Sequence, residues 1–112
     1  MSEIRENEVR VFKFVSGEEV IAKVILVQHQ FNGSKLVPTS VHLEDTIAIV
    51  MQVDDSGKPF PMFLPWGTSV KTKEVDLDKI IFQGEPVSTL MDRYNQIFRR
   101  VAAPPTGIVM PE

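Results

Sequence analysis

The chain has no cysteine, which removes disulfides, thiolate zinc sites and thiol nucleophiles in one step. It has only two histidines, His29 and His42, and neither has a second ligand at metal spacing. Both are expected to be surface or loop residues, with no metal and no cofactor. No apolar run approaches the length needed to span a bilayer, and residues 1–10 carry Glu3, Glu6 and Glu8 where a secretory leader would be basic and then apolar. The expectation is a soluble, cytoplasmic protein without membrane contact. Catalytic signatures are missing as well. Ser16-Gly17 lacks the flanking glycine of a nucleophile elbow, and there is no phosphate-cradling loop. Glu44-Asp45 and Asp54-Asp55 are neighbours whose side chains would point to opposite faces of a strand, which rules out joint acid/base work. Asp76 and Asp78 share a face, and protection of a turn or sheet edge explains them. No catalytic residue is expected, and enzyme function is set aside.

What is present fits one small β-rich domain. The chain has 112 residues, 43% of them hydrophobic, enough for a single core. Residues 9–14 are β-prone, with Phe12 and Phe14 on one side and Lys13 on the other, and Ser16-Gly17-Glu18 follows as a turn. A second strand is expected over residues 19–27, apolar on both faces apart from Lys23. Residues 28–40 read as a loop, with Asn32-Gly33 marking a hairpin tip. Residues 41–53 alternate: Val41, Leu43, Ile47, Ile49, Met51 and Val53 share one parity, and His42, Glu44, Thr46 and Gln52 share the other. Turn chemistry at Asp55-Ser56-Gly57-Lys58 precedes a fourth strand over residues 60–66. Pro59, Pro61 and Pro65 restrict its two-sided pairing to the region of Met62 to Leu64. A fifth strand spans residues 78–83, closed by Gly84 and Pro86.

The period then changes. Leu90, Met91, Tyr94, Ile97, Phe98 and Val101 fall at helical spacing, with Arg93, Gln96 and Arg100 mostly opposite. Ser88 or Thr89 supplies a cap, Arg99 and Arg100 suit the negative end of the helix dipole, and Pro104-Pro105 ends the helix. The division is thus a β domain over residues 1–87 and a helix with a Pro-rich tail over residues 88–112.

Two short motifs narrow the fold. Gly17-Glu18-Glu19-Val20-Ile21-Ala22-Lys23-Val24 resembles the first motif of Sm-like proteins, with Ala22 where that family usually has its second glycine. Ile81-Phe82-Gln83-Gly84 resembles the second motif, with Gln83 in the arginine position. The group most similar is that of Sm-like proteins attributed to marine phages, including cyanophages, in which an extension follows the barrel. The resemblance implies an all-β fold, a strongly bent five-stranded barrel with an added C-terminal helix. It also implies homo-oligomeric rings of about five to seven subunits, in which the fourth strand of one copy pairs with the fifth of the next. An open barrel leaves two strand edges to be covered, and a neighbour covers both. Phe60, Met62, Phe63, Leu64, Ile80 and Phe82 are the candidate subunit contacts.

The family's RNA pocket is matched less well. Gln28 stands near its first position, His42 is a loose counterpart of the second, and Gln83 replaces the third. At a net charge of -3, attraction to polyanions needs a local basic patch or a surface built by several subunits. The candidate nucleic-acid contacts are therefore Gln83 and His42 with Arg93, Arg99 and Arg100, the helix arginines repeating around a ring. Trp66, with Phe60 and Phe63, suits either stacking on bases or burial in the core or a subunit interface. Two functions remain open: a ring that binds RNA or single-stranded nucleic acid, and a structural ring that docks phage or host proteins through its helix and tail.

Overall fold

A computed structural model describes residues 4–102, with side chains to residue 98 in the helix. Six strands precede one helix: β1 (Val9–Phe14), β2 (Glu19–Asn32), β3 (Lys35–Val53), β4 (Pro59–Pro65), β5 (Lys73–Asp76), β6 (Ile80–Gly84) and α1 (Ser88–Ala102). A 3₁₀ turn, Leu77–Lys79, joins β5 to β6. The β-branched and aromatic residues that fill β1, β2 and β3 suit a pleated surface covered on both faces.

All pairings are antiparallel, in the order β4-β3-β2-β1-β6, with β5 also on β3. β4 pairs with residues 47–53 of β3 and β5 with residues 40–43, in the same direction. The two behave as one strand interrupted by residues 66–72. β6 then returns to pair with β1, so the meander bends round without its outer strands meeting.

Two hydrophobic clusters lie on opposite faces of this sheet. The inner one joins Phe12, Phe14, Val20, Ala22, Val24, Val41 and Leu43, with Trp66, Ala48, Val75 and Ile80 packed against it. The outer one joins Ile21, Ile47, Ile49 and Tyr94, supported by Val9, Val11, Phe63, Leu90, Ile97 and Phe98. The helix thus packs on the sheet through the stripe that its spacing predicts.

A β-bulge decides which face each residue of β3 reaches. Lys23 pairs with Glu44 and Ile21 with Ile47, so Asp45 and Thr46 together oppose the single residue Ala22. Asp45 takes a left-handed φ of 53°, a conformation that aspartate tolerates better than most residues. The extra residue flips the later positions. Val41 and Leu43 point into the inner cluster, whereas Ile47 and Ile49, of the same sequence parity, point out beneath the helix. The Tyr94 hydroxyl donates to the Asp45 carbonyl at 2.8 Å, tying helix to bulge.

Three local expectations change. Residues 28–40 are not a loop: β2 and β3 continue as a ladder to Asn32↔Lys35, around a tight turn at Gly33-Ser34 where Gly33 has φ 68°. β5 is an additional strand, and the strand expected from residue 78 starts at Ile80, because Asp78 and Lys79 belong to the 3₁₀ turn. The helix begins at Ser88, with the Met91 N–H donating to the Val87 carbonyl at 3.0 Å. Ser88 and Thr89 therefore lie within the first turn.

Candidate binding surfaces and subunit edges

The nucleic-acid candidates among the described residues, Gln83, His42 and Arg93, do not converge on one pocket. Gln28 and His42 do meet: their strands pair, and His42 Nε2 lies 3.1 Å from Gln28 Oε1. Ser40 is buried beside them and donates to Glu74 Oε2 at 3.2 Å, while His42 Nε2 is 4.0 Å from the same carboxylate. This gives a small polar cluster across β2, β3 and β5. Glu74 makes it a poor seat for a phosphate, since a carboxylate repels an anion.

Gln83 sits elsewhere, in β6 opposite Phe12 of β1. Its Oε1 accepts from Arg10 Nε at 2.8 Å and from Nη2 at 2.5 Å. Arg10 is only 3% exposed and lies 3.4 Å from Glu8. Burying a guanidinium is tolerable only when it is paired and hydrogen-bonded, which is what Gln83 and Glu8 provide. Gln83 thus has a structural partner that the sequence pattern missed. The available signal was parity: Arg10 shares its face with Phe12 and Phe14, so a charge at that position calls for a buried acceptor. Arg93 is exposed on α1 with its guanidinium 5.6 Å from the centre of the Phe63 ring. The side chains of Arg99 and Arg100, and everything after Ala102, lie outside the described residues.

Trp66 is partly buried on the inner core, stacked 5.3 Å from Phe14. A hydrogen bond helps to fix its position, because the backbone carbonyl of Trp66 accepts from Thr46 Oγ1 at 2.6 Å. Beside it, the Ser16 hydroxyl donates to the Glu18 carboxylate, and this bond, with the backbone N–H of Glu18 itself, holds the Glu18 carboxyl below the usual carboxylate range. Phe14 and Trp66 line an open cleft of about 660 Å³ together with Glu18, Glu74, Asp76 and Lys79. Three carboxylates against one ammonium favour a cationic occupant there over an anionic one. Among the described residues, no group of three or more His, Asp or Glu side chains is placed to hold a metal ion.

The candidate subunit contacts divide. Phe60, Met62 and Leu64 of β4 are 40%, 38% and 42% exposed, and Phe82 of β6 is 50% exposed, beside Ile81 at 60%. Phe63 and Ile80 instead pack within the protomer, on the outer and inner clusters respectively. β4 and β6 each have a strand on one side only among the described residues. Pro59, Pro61 and Pro65 occupy alternate positions of β4, and alternate residues of an antiparallel strand direct their N–H groups to the same side. Placed toward the free side, the prolines leave the β3 ladder intact, so Phe63 alone offers an N–H on that edge.

No helix among the described residues is long and apolar enough to cross a membrane. No family model matches the chain, and no curated protein matches it in sequence.

Proposed function

We propose that the chain is a Sm-like protein that assembles into a homo-oligomeric ring of about five to seven subunits and acts by binding RNA or single-stranded nucleic acid, without catalysis. The observation that carries the assembly is the pair of uncovered edges at the two ends of one bent sheet, both lined with exposed apolar side chains. A soluble chain with such edges must blunt or cover them. The prolines of β4 blunt one edge in part, leaving carbonyls to which the N–H groups of a neighbour's β6 can donate. The strand order adds support. A bent antiparallel meander followed by one helix fits the bent all-β fold with a C-terminal helix that the resemblance implies.

A second reading, a ring that docks other proteins, draws on the acidic cleft beside Trp66, whose charge suits a basic partner. Docking through the apolar stripe of α1 loses ground, because Leu90, Tyr94, Ile97 and Phe98 are packed on the sheet.

Light scattering at micromolar concentration tests the assembly, and salt-dependent retention on short U-rich or A-rich RNA tests the ligand. Phosphate contacts must weaken steeply as salt rises. Purely monomeric protein would overturn the ring. An oligomer indifferent to RNA at low salt would leave the docking reading in its place.

A further inference from the structure

The β2–β3 hairpin extends beyond the sheet as a two-stranded arm. Past the Gln28↔Ser40 pair, which β5 still flanks through Ser40↔Asp76, His29↔Pro38, Gln30↔Val37, Phe31↔Leu36 and Asn32↔Lys35 pair with one another, and no third strand accompanies these four pairs among the described residues. At the ordinary strand rise the arm reaches about 15–20 Å past its root. An isolated hairpin of this kind is marginal in water, and this one leaves Phe31 76% and Leu36 55% exposed.

The arm has a distinctive charge. The chain contains 15 acidic residues, yet none lies between Val20 and Leu43, where Lys23, His29, Lys35 and His42 are the ionisable side chains. Register separates the arm's chemistry by face. His29, Phe31, Leu36 and Pro38 share one face, and Gln30, Asn32, Lys35 and Val37 share the other. One face offers rings, and the other offers amides and an ammonium.

We propose that this arm is the nucleic-acid contact of the protein, with Phe31 stacking on an unpaired base at one face and Lys35, beside Gln30 and Asn32, meeting the phosphate of another nucleotide of the same strand at the opposite face. This rests on the nucleic-acid reading above and places its contact away from Gln83 and the helix arginines. An aromatic ring takes any base because every base has a π-face, and residues 29–38 of the arm contribute no carboxylate to repel the backbone, while Glu6 and Glu74 meet only its root, at Val27 and Ser40. The cleft beside Trp66, with its three carboxylates, is the opposite environment. Repetition around a ring would present several arms to one strand, multiplying weak single contacts.

The test is fluorescence anisotropy of the full chain with labelled single-stranded A-rich RNA of about 20 nucleotides, long enough to span more than one arm. Phe31→Ala should weaken binding roughly 5- to 150-fold, the worth of one base–aromatic stack, and Phe31→Tyr should retain it. Lys35→Glu should weaken binding and flatten its salt dependence. All three variants should keep the wild-type oligomeric size in light scattering, whereas failure of the ring reading would show as monomer in the wild type itself. The proposal is overturned if wild-type protein does not bind at low salt, or if Phe31→Ala and Lys35→Glu bind as wild type. It is also overturned if these variants change oligomer size instead of affinity, since the arm would then be a contact between copies.

Discussion

Replacing Tyr94 by phenylalanine removes one oxygen and leaves the ring in place, so it isolates the bond between helix and bulge. Tyr94 is 4% exposed, its ring lies 4.7 Å from that of Phe98, and its hydroxyl donates to the Asp45 carbonyl at 2.8 Å. The packing survives the change. What is lost is one hydrogen bond to a backbone acceptor, worth about 0.5–1.5 kcal/mol net. For a domain of this size, 1 kcal/mol moves Tm by roughly 4–8 °C. Thermal unfolding by circular dichroism, at a fixed protein concentration because assembly shifts Tm, should show a fall of that order. Alkaline pH supplies a sign check. Burial, with a smaller push from the Asp45 charge, raises the Tyr94 pKa above the ordinary tyrosine value. A raised pKa means stability that is present below the unfolded pKa and lost as pH rises through the folded one. The wild type should therefore lose its advantage over Tyr94→Phe as pH climbs past the usual tyrosine range. An unchanged Tm at neutral pH, or an advantage that grew with alkalinity, would refute the claim that this bond holds helix to sheet.

Ala22 is fully buried in the inner cluster opposite Arg10, so Ala22→Leu should destabilise by about 1–3 kcal/mol in denaturant titration; an unchanged midpoint would mean that the strand has room there. Asp45→Gly should be tolerated, because glycine accepts the left-handed φ of the bulge, whereas Asp45→Val should cost about 1–3 kcal/mol; equal stabilities would show that the bulge rearranges. Glu18 has a pKa lowered by its Ser16 hydrogen bond and its own backbone N–H, so its contribution is present above the ordinary carboxylate range and lost as pH falls through it. The Tm difference between wild type and Glu18→Gln should accordingly shrink on acidification, and a difference that widened in acid would contradict this.

Much of the architecture was legible because both periods are strong. The alternation in β1 and the helical stripe of α1 each predict the face that packs. The single alternating run over residues 41–53 misled in one respect, because the bulge at Asp45 adds a residue that parity cannot count. With apolar clusters on both faces of the sheet, Ile47 and Ile49 satisfy either assignment. Residues 28–40 read as a loop in the sequence because they show no clear period and Pro38 interrupts them, although the ladder runs on past that proline. The candidate sites were less legible. Gln83 draws attention by its place in a motif, while its partner, Arg10, lies 73 residues away in sequence and meets it through β1–β6 pairing.

The central claim, that the open edges of β4 and β6 are covered by other copies of the chain, is tested most directly by native mass spectrometry of the wild type beside Met62→Glu and Phe82→Glu. Each variant places a charge on one exposed edge residue while sparing both hydrophobic clusters. The wild type should be a single closed species of about five to seven subunits, lost to monomer in either variant, as expected when an interface charge has no partner. A wild type that is monomeric at micromolar concentration, or variants that assemble as the wild type does, would contradict it.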